Sequence, residues 1–181
     1  MLINADHSCL LVVDIQEKLA PAIHDGREVI ANTAWLLRIA GRLGVPVLAS
    51  QQYPRGLGPL AAELLALVPA QAVVDKVEFS CAAAPACRER IEASGRRQWI
   101  VTGMEAHVCV LQTALGLLDA GREVYVVADA VGSRRPADKE LGLARLRGEG
   151  VRVVSREMVA FEWLHRAGTD VFRDISREFL R

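Results

Sequence analysis

Short apolar runs rich in Val, Ile and Leu alternate with amphipathic stretches along the whole chain. The runs have the length and β-branched content of strands, and Gly, Pro or an acidic residue bounds them. Near-continuous apolar strands are typical of parallel sheets that are covered on both faces. The predicted strands cover residues 9–14, 45–50, 72–76, 98–102, 123–128 and 151–154.

The stretches between the strands carry apolar residues at helical spacing, and several of them stop at a glycine, as helices commonly do. Strands that alternate with helices predict a three-layer α/β/α sandwich. We expect a six-stranded, mainly parallel sheet of Rossmann-like order 3-2-1-4-5-6, in a single domain over residues 1–181. The predicted helices cover residues 27–43, 59–68, 85–94, 106–120 and 136–149, with a helical tail from residue 161 onwards.

The bulk composition narrows the class of protein. Lys and Arg number 22, equal to Asp and Glu at 22, so charge gives no reason to expect a nucleic-acid or membrane-surface partner. The start of the chain lacks a basic segment followed by a long apolar one, and we expect a cytoplasmic protein. Four cysteines without a C-x-x-C pair predict neither a disulfide scaffold nor a structural zinc site.

Functional groups of parallel α/β sheets gather at the carboxyl ends of the strands. Cys109 stands out there, because a thiol in the first turn of a helix meets the positive end of the helix dipole, which favours the reactive thiolate. A carboxylate can exchange its proton, and a lysine can stabilise both charges. The candidates at these strand ends are Asp14, Gln51, Gln52, Lys76, the segment 103–109 and Asp129.

Three ordered motifs carry a resemblance to a known family. They are Val13-Asp14-x-Gln16, the Lys76-x-x-Phe79-Ser80 segment, and Gly103 followed six residues later by Cys109. Together they resemble the isochorismatase-like cysteine hydrolases, which include nicotinamidase and N-carbamoylsarcosine amidohydrolase. Residues 52–59 and 129–134 are most similar to the isochorismatase-domain-containing subgroup.

The resemblance implies a catalytic apparatus. Cys109 would be the nucleophile, Asp14 the general base and acid, and Lys76 their electrostatic partner. A cis peptide would join Met104 to Glu105, and the backbone N–H groups of Glu105 and Cys109 would form an oxyanion hole. The implied reaction is hydrolysis of a small amide or ureido C–N bond through a thioester.

One departure from the family pattern concerns metal. Nicotinamidases of the family carry histidine ligands after the second strand, where this chain has Gln51-Gln52-Tyr53-Pro54 and no histidine anywhere in residues 25–105. We therefore expect no metal site and no cofactor, which disfavours nicotinamide as substrate. Isochorismate is disfavoured too, because cleavage of its vinyl ether requires an acid rather than a thiol nucleophile.

The remaining site candidates have two interpretations each. Gln16, Gln52, Tyr53, Phe79 and His107 are candidates for the substrate pocket, or for the core, a helix start or a solvated surface. Cys9 is expected to be inert packing. Whether Cys81 and the Arg134-Arg135 loop reach the pocket stays open at this point.

Two other functions compete with the hydrolase. The first is a catalytically silent interaction protein that retains the fold. The second is a nucleotide-binding oxidoreductase, which is disfavoured because no Gly-x-Gly-x-x-Gly follows the first strand. For the hydrolase we expect a small-molecule substrate and, from the resemblance, a homo-oligomer that is a dimer, a tetramer or larger.

Overall fold

A six-stranded sheet forms the centre of the molecule, in the order β3-β2-β1-β4-β5-β6. The computed structural model describes residues 1–180; Arg181, which the predicted domain includes, lies outside the described residues. Every strand pairs with its neighbours in parallel, which confirms the predicted order. The strands are β1 (Ser8–Val13), β2 (Val47–Gln52), β3 (Val73–Lys76), β4 (Gln98–Met104), β5 (Glu123–Gly132) and β6 (Arg152–Val154).

Helices cover both faces of this sheet, and most of them begin or end close to the predicted positions. Ser155 starts α7 by accepting a hydrogen bond at Oγ from the Met158 N–H, a typical N-cap contact. The helices are α1 (Gly26–Leu43), α2 (Pro54–Leu57), α3 (Ala62–Leu65), α4 (Pro85–Ala93), α5 (Leu111–Asp119), α6 (Pro136–Gly148), α7 (Arg156–Leu164) and α8 (Asp170–Phe179).

Two apolar cores lie on opposite faces of the sheet. Side chains alternate along β1, so that Leu10 and Val12 point into one core and Leu11 and Val13 into the other. The first core contains residues of α1, α3, α7 and α8, and the second contains residues of α4, α5 and α6. This arrangement confirms the three-layer prediction.

Three strands run beyond their predicted carboxyl ends, because their ladders continue through polar residues and glycine. The longer β5 changes the position of Asp129, which we expected at a strand end and which lies inside the strand. Its Oδ1 accepts a hydrogen bond from the Arg156 N–H at 2.8 Å, and its carbonyl accepts one from the Asn32 side chain. Asp129 therefore joins α1 and α7 to the sheet, and its placement at the strand end was wrong.

One predicted helix is shorter than expected, and the predicted helical tail is divided in two. The stretch 59–68 contains only the short α3, and α2 precedes it in a segment without a predicted helix. The helical tail begins at Arg156 and is interrupted at His165, whose φ of 60° ends α7. In the part of the chain that the structure describes, no helix combines the length and the apolar character that crossing a membrane requires.

Candidate active site

Four adjacent strands bring the predicted catalytic residues to one edge of the sheet. Because the strands lie in the order β3-β2-β1-β4, the last residue of β3, the residue after β1 and the turn after β4 all lie at the carboxyl edge of the sheet. Asp14 follows β1 directly and has a left-handed backbone, with φ of 53°. Few residues other than Gly adopt this conformation easily, although Asp tolerates it better than most. It turns the chain out of the sheet at the position of the carboxylate.

The Asp14 carboxylate is held on both oxygens. Ser50 Oγ donates to Oδ1 at 2.7 Å, and the Lys76 ammonium donates to Oδ2 at 2.7 Å. The Asp14 and Lys76 side chains both have 0% exposure. A buried ion pair is tolerated only when further hydrogen bonds satisfy its remaining donors and acceptors, and this pair has them.

Lys76 contacts three more oxygens besides Asp14. Its Nζ lies 2.6 Å from Gln52 Oε1, 3.1 Å from the Glu78 carbonyl and 3.2 Å from the Phe79 carbonyl. Burial is the largest single effect and would lower the pKa of Lys76, but the Asp14 carboxylate with its hydrogen bond and the Cys81 and Cys109 sulfurs together outweigh burial, and the pKa is raised. The lysine therefore keeps its proton and supplies a fixed positive charge.

Cys109 lies in a π-helical turn, Ala106–Val110, that leads into α5. Its side chain is buried, with 7% of the residue exposed. Burial raises the pKa of the Cys109 thiol, the Asp14 carboxylate with its hydrogen bond raises it further, and Lys76 only partly opposes them. The expectation that this position favours the thiolate was therefore wrong. A thiol whose pKa is raised needs a base to become a nucleophile, and the Asp14 carboxylate lines the same cavity.

The turn between β4 and Cys109 brings two backbones very close together. Gly103, with φ of 148°, pairs with Val13, and a Cβ at this position would lie 2.3 Å from the Val13 carbonyl oxygen. Only glycine fits there. The peptide bond between Met104 and Glu105 is cis. Among residues 1–180, no hydrogen-bond acceptor contacts the Glu105 N–H.

A cavity of ≈ 410 Å³ opens above Asp14 and Cys109. We call the exposed residues Lys18, Phe79 and Arg134 of its lining the rim, and the buried residues at its floor and beneath it, Asp14, Ser50, Lys76 and Cys109, the buried polar cluster. Arg134 Nε lies 3.0 Å from Glu105 Oε2. The cavity is lined by Asp14, Lys18, Leu19, Ala22, Gln52, Leu57, Phe79, Glu105, Val108, Cys109 and Arg134.

Gln52 and Phe79 line this cavity, whereas the other three predicted pocket residues do not. Gln16 is buried, and its side chain bonds the backbone of Gln52 and the Gly58 carbonyl. Tyr53 lies on the surface beside a separate groove. His107 Nδ1 contacts Ser133 Oγ at 2.9 Å. These three side chains support loops and surfaces around the site.

Sequence reasoning missed several residues of the site. Ser50 is two residues before the end of β2, and the alternation of side chains along that strand places it on the same face as Gln52. Lys18, Leu19 and Ala22 follow β1 in a segment without a motif, and only the path of the chain places them here.

The other cysteines and Arg135 lie outside the cavity lining. Cys81 is buried, and its thiol contacts Ser50 Oγ at 3.3 Å beneath the cavity. Burial raises the pKa of Cys9 to about 12, which fits inert packing. Arg135 lines a separate depression with Arg134 and Asp138. Within residues 1–180, no three His, Cys, Asp or Glu residues are grouped as metal ligands would be.

The fold and the groups at the carboxyl edge of its sheet define a class, the isochorismatase-like α/β proteins. The isochorismatase domain model matches residues 8–158, and the chain belongs to that family. Isochorismatase domain-containing protein 2A of Mus musculus is 34% identical over 175 residues, which cover 95% of this chain and 82% of the relative. The family indicates a hydrolase.

Two solved structures have the same architecture. MAR1 ribonuclease from Caenorhabditis elegans is 31% identical, with a TM-score of 0.93 over 100% of this chain and 93% of that chain. The YcaC gene product of Escherichia coli, described as an octameric hydrolase of unknown specificity, has a TM-score of 0.87 over 92% of this chain and 83% of that chain. At 24% identity, the second likeness concerns the fold alone.

Proposed function

We propose that this protein is a metal-independent cysteine hydrolase that cleaves a small amide or ureido C–N bond through a thioester. One observation carries the proposal. The buried Asp14 carboxylate accepts a hydrogen bond from the Lys76 ammonium, and Asp14 and Cys109 line one cavity of small-molecule size. Nucleophile, base and fixed charge thus lie together at one cavity.

In the first half of the reaction, the thiol proton of Cys109 passes to Asp14 while the sulfur attacks the carbonyl carbon. The backbone N–H groups of Glu105 and Cys109 stabilise the oxyanion that forms, and the absence of a described acceptor at the Glu105 N–H supports this role. Asp14 then returns its proton to the departing nitrogen. The C–N bond breaks, the amine leaves, and a thioester remains on Cys109.

In the second half, a water molecule gives a proton to Asp14 and its oxygen attacks the thioester carbon. The C–S bond breaks, the carboxylic acid is released, and Asp14 returns the proton to the Cys109 sulfur. The raised pKa of the thiol suits this cycle, because the resting enzyme holds the proton that the leaving amine requires. Lys76 keeps the carboxylate oriented through both halves.

The metal-independent part of the proposal rests on the two residues at the carboxyl end of β2. Gln52 Oε1 accepts from Lys76, and its Nε2 donates to the Val77 carbonyl at 2.8 Å. Gln51 bonds the Asp75 carboxylate and the Leu60 N–H. Both amides therefore hold loops together at the position where the nicotinamidase pattern has histidines.

The experiment is a screen for liberated ammonia over small primary amides and ureas, and for liberated hydroxylamine over hydroxamates, with the wild-type chain and the Cys109→Ala variant. Cys9→Ala is the matched control, because it removes another buried thiol away from the cavity. Ammonia release by the wild type and by Cys9→Ala, but not by Cys109→Ala, would support the proposal. Turnover by Cys109→Ala near the wild-type rate would exclude the thioester route.

Two alternatives are separated by the same samples. A silent interaction protein would show no turnover and no preferential alkylation of Cys109 over Cys9 by iodoacetamide. The name of the C. elegans protein raises RNA cleavage, so a labelled RNA substrate is included. The chain's equal numbers of acidic and basic residues give no electrostatic support to RNA binding.

Self-assembly is the last part of the proposal. Leu141, Met158 and Phe161 are large apolar residues that are 69%, 54% and 47% exposed. Contact with further copies would remove that surface from water. We expect light scattering coupled to size-exclusion chromatography to give a mass of two or more chains, and a monomeric mass would contradict this expectation.

A further inference from the structure

Some of the charged side chains around the cavity form ion pairs, and one does not. The Asp14 carboxylate is paired with Lys76. The Glu105 carboxylate is paired with Arg134, which donates to it from both Nε and its backbone N–H. Lys18 also lines the cavity, and no carboxylate within residues 1–180 lies within 4.0 Å of its ammonium. When Lys76 beneath the cavity is counted with the lining residues, three basic side chains face two acidic ones, and the excess basic group is Lys18.

The backbone of Lys18 is held by a hydrogen bond to another residue that lines the cavity. Its N–H donates to the carbonyl of Leu57, another lining residue, at 3.2 Å. The preceding Glu17 N–H donates to the Pro59 carbonyl at 3.0 Å. Lys18 is exposed. A side chain held in this way is available to a ligand at little ordering cost to its backbone.

The rest of the lining indicates the size and polarity of the ligand. Leu19, Ala22, Leu57 and Val108 form apolar walls, and Phe79 adds an aromatic face that is 52% exposed. A volume of ≈ 410 Å³ lies at the small end of ligand cavities. An uncharged amide would pack against the apolar walls without pairing with Lys18. An amide that carries a carboxylate would pack against the walls and also pair with Lys18.

We propose that Lys18 determines specificity by binding a carboxylate group, so that the substrates are small amides or ureides that carry one negative charge. The inference rests on the proposed function, because it places the scissile carbonyl at Cys109 and the carboxylate at Lys18. Lys18 would act in binding the substrate and would take no part in proton transfer.

The test compares two alkylating reagents of nearly equal size, iodoacetate and iodoacetamide. With either one, the Cys109 sulfur forms a bond to carbon, the C–I bond breaks, iodide leaves, and the thiol proton passes to solvent. Only iodoacetate carries a carboxylate. The rate ratio of the two reagents at Cys109, read by mass spectrometry of the peptide 98–122, is divided by their ratio with 2-mercaptoethanol, a neutral free thiol.

We expect the normalised ratio to favour iodoacetate by about threefold to tenfold at low ionic strength and to decline as salt is added. Lys18→Gln should remove the preference, and Lys18→Glu should reverse it. Lys139→Gln is the matched control, because it removes the same charge from α6 beside a different cavity. It should leave the ratio unchanged.

The outcomes separate the two proposals. A reactive Cys109 whose ratio is the same in the wild type, Lys18→Gln and Lys18→Glu would overturn the assignment of Lys18 and leave the hydrolase proposal intact. A loss of preference in Lys139→Gln equal to that in Lys18→Gln would also overturn it, since overall charge would then be the cause. Labelling of Cys109 by both reagents at no more than the background rate would show that Cys109 is not a nucleophile. The hydrolase proposal and the assignment of Lys18 would then both be wrong.

Discussion

The buried polar cluster and the rim share one cavity but differ in how their charges are treated. In the cluster, Asp14 and Lys76 are completely buried, and both are surrounded by hydrogen-bond partners. On the rim, Arg134 has a side chain that is 62% exposed, and Lys18 is exposed as well. Water screens the rim charges, whereas the cluster charges act at close range without such screening.

This difference in burial indicates that the two regions have different functions. A buried charge that loses its partner is costly, so the cluster cannot change without loss of stability or chemistry. A rim charge can be replaced at small cost, because water solvates what remains. We therefore expect cluster substitutions to change the chemical step and rim substitutions to change the choice of substrate. The predictions below test this division, from the largest effect to the smallest.

Cys109→Ala should have the largest effect, a loss of at least about 10⁴-fold in kcat on the best amide found in the screen. No other described thiol lines the cavity. The variant should fold, because alanine fills most of the small buried site, and near-ultraviolet circular dichroism checks this. Residual turnover within tenfold of Cys9→Ala would show that the sulfur forms no bond with the substrate.

Asp14→Asn should separate catalysis from thiol reactivity. Turnover should fall about 10²- to 10⁴-fold, because the proton carrier is lost. Alkylation of Cys109 by iodoacetamide at pH 8 should nevertheless become faster, by about tenfold, because the nearby carboxylate no longer raises the thiol pKa while Lys76 still lowers it. Both effects come from one carboxylate.

The pH dependence of Cys109 alkylation tests the direction in which Asp14 shifts the thiol pKa. In the wild type the rate should rise with pH and reach no plateau by pH 9.0, the ordinary thiol value, since the Cys109 pKa lies above it. In Asp14→Asn the curve should move to lower pH. Labelling of Cys9 in the same samples reports unfolding. A curve that moves to higher pH would contradict the assigned role of Asp14.

Lys76→Met should destabilise the fold by about 3–5 kcal/mol, because it leaves the Asp14 carboxylate buried without its cation. Urea denaturation measures this loss. The double variant Asp14→Asn/Lys76→Met should recover part of it, since the uncompensated charge is gone. Lys139→Met is the control on a partly exposed lysine and should cost less than about 0.5 kcal/mol. Equal losses for Lys76→Met and Lys139→Met would show that the buried pair carries no special stability.

Ser50→Ala tests a smaller contribution within the cluster. It removes the donor to Asp14 Oδ1 and a contact of the Cys81 thiol. We expect a cost of about 1–3 kcal/mol and a loss of about tenfold in kcat with little change in KM, because the carboxylate loses orientation rather than identity. Ser50→Thr keeps the hydroxyl and should restore most of the rate. An unchanged kcat in Ser50→Ala would show that Lys76 orients Asp14 by itself.

The fold could be predicted from the sequence because local signals and burial agree along most of the chain. Apolar runs such as residues 98–102 read as strands from composition alone. The exceptions have physical causes. Residues 129–132 continue β5 through Gly132 beside Met104, and that pairing depends on a neighbouring strand rather than on local pattern.

The candidate site, like the fold, has features that could be predicted from the sequence and features that could not. Strand-end positions predicted where Asp14, Lys76 and Cys109 would meet, because parallel strands end at one edge. The protonation of Cys109 could not be predicted, because it depends on burial and on how close Asp14 lies. Of the rim residues, Lys18 was missed for a related reason, since it has no motif and its position depends on a backbone hydrogen bond to Leu57.

Phe79→Ala should change kcat less than the cluster substitutions do, and its main effect should be on the KM for a substrate that contacts the rim. The ring is half exposed and lines the cavity, while its carbonyl, which the substitution keeps, accepts from Lys76. We expect KM to rise about threefold to tenfold with kcat within twofold of the wild type, since only part of an aromatic contact is lost. Phe161→Ala removes a similarly exposed ring on α7 and should leave both constants unchanged. A fall in kcat without a change in KM would place Phe79 with the buried polar cluster and break the division between the two regions.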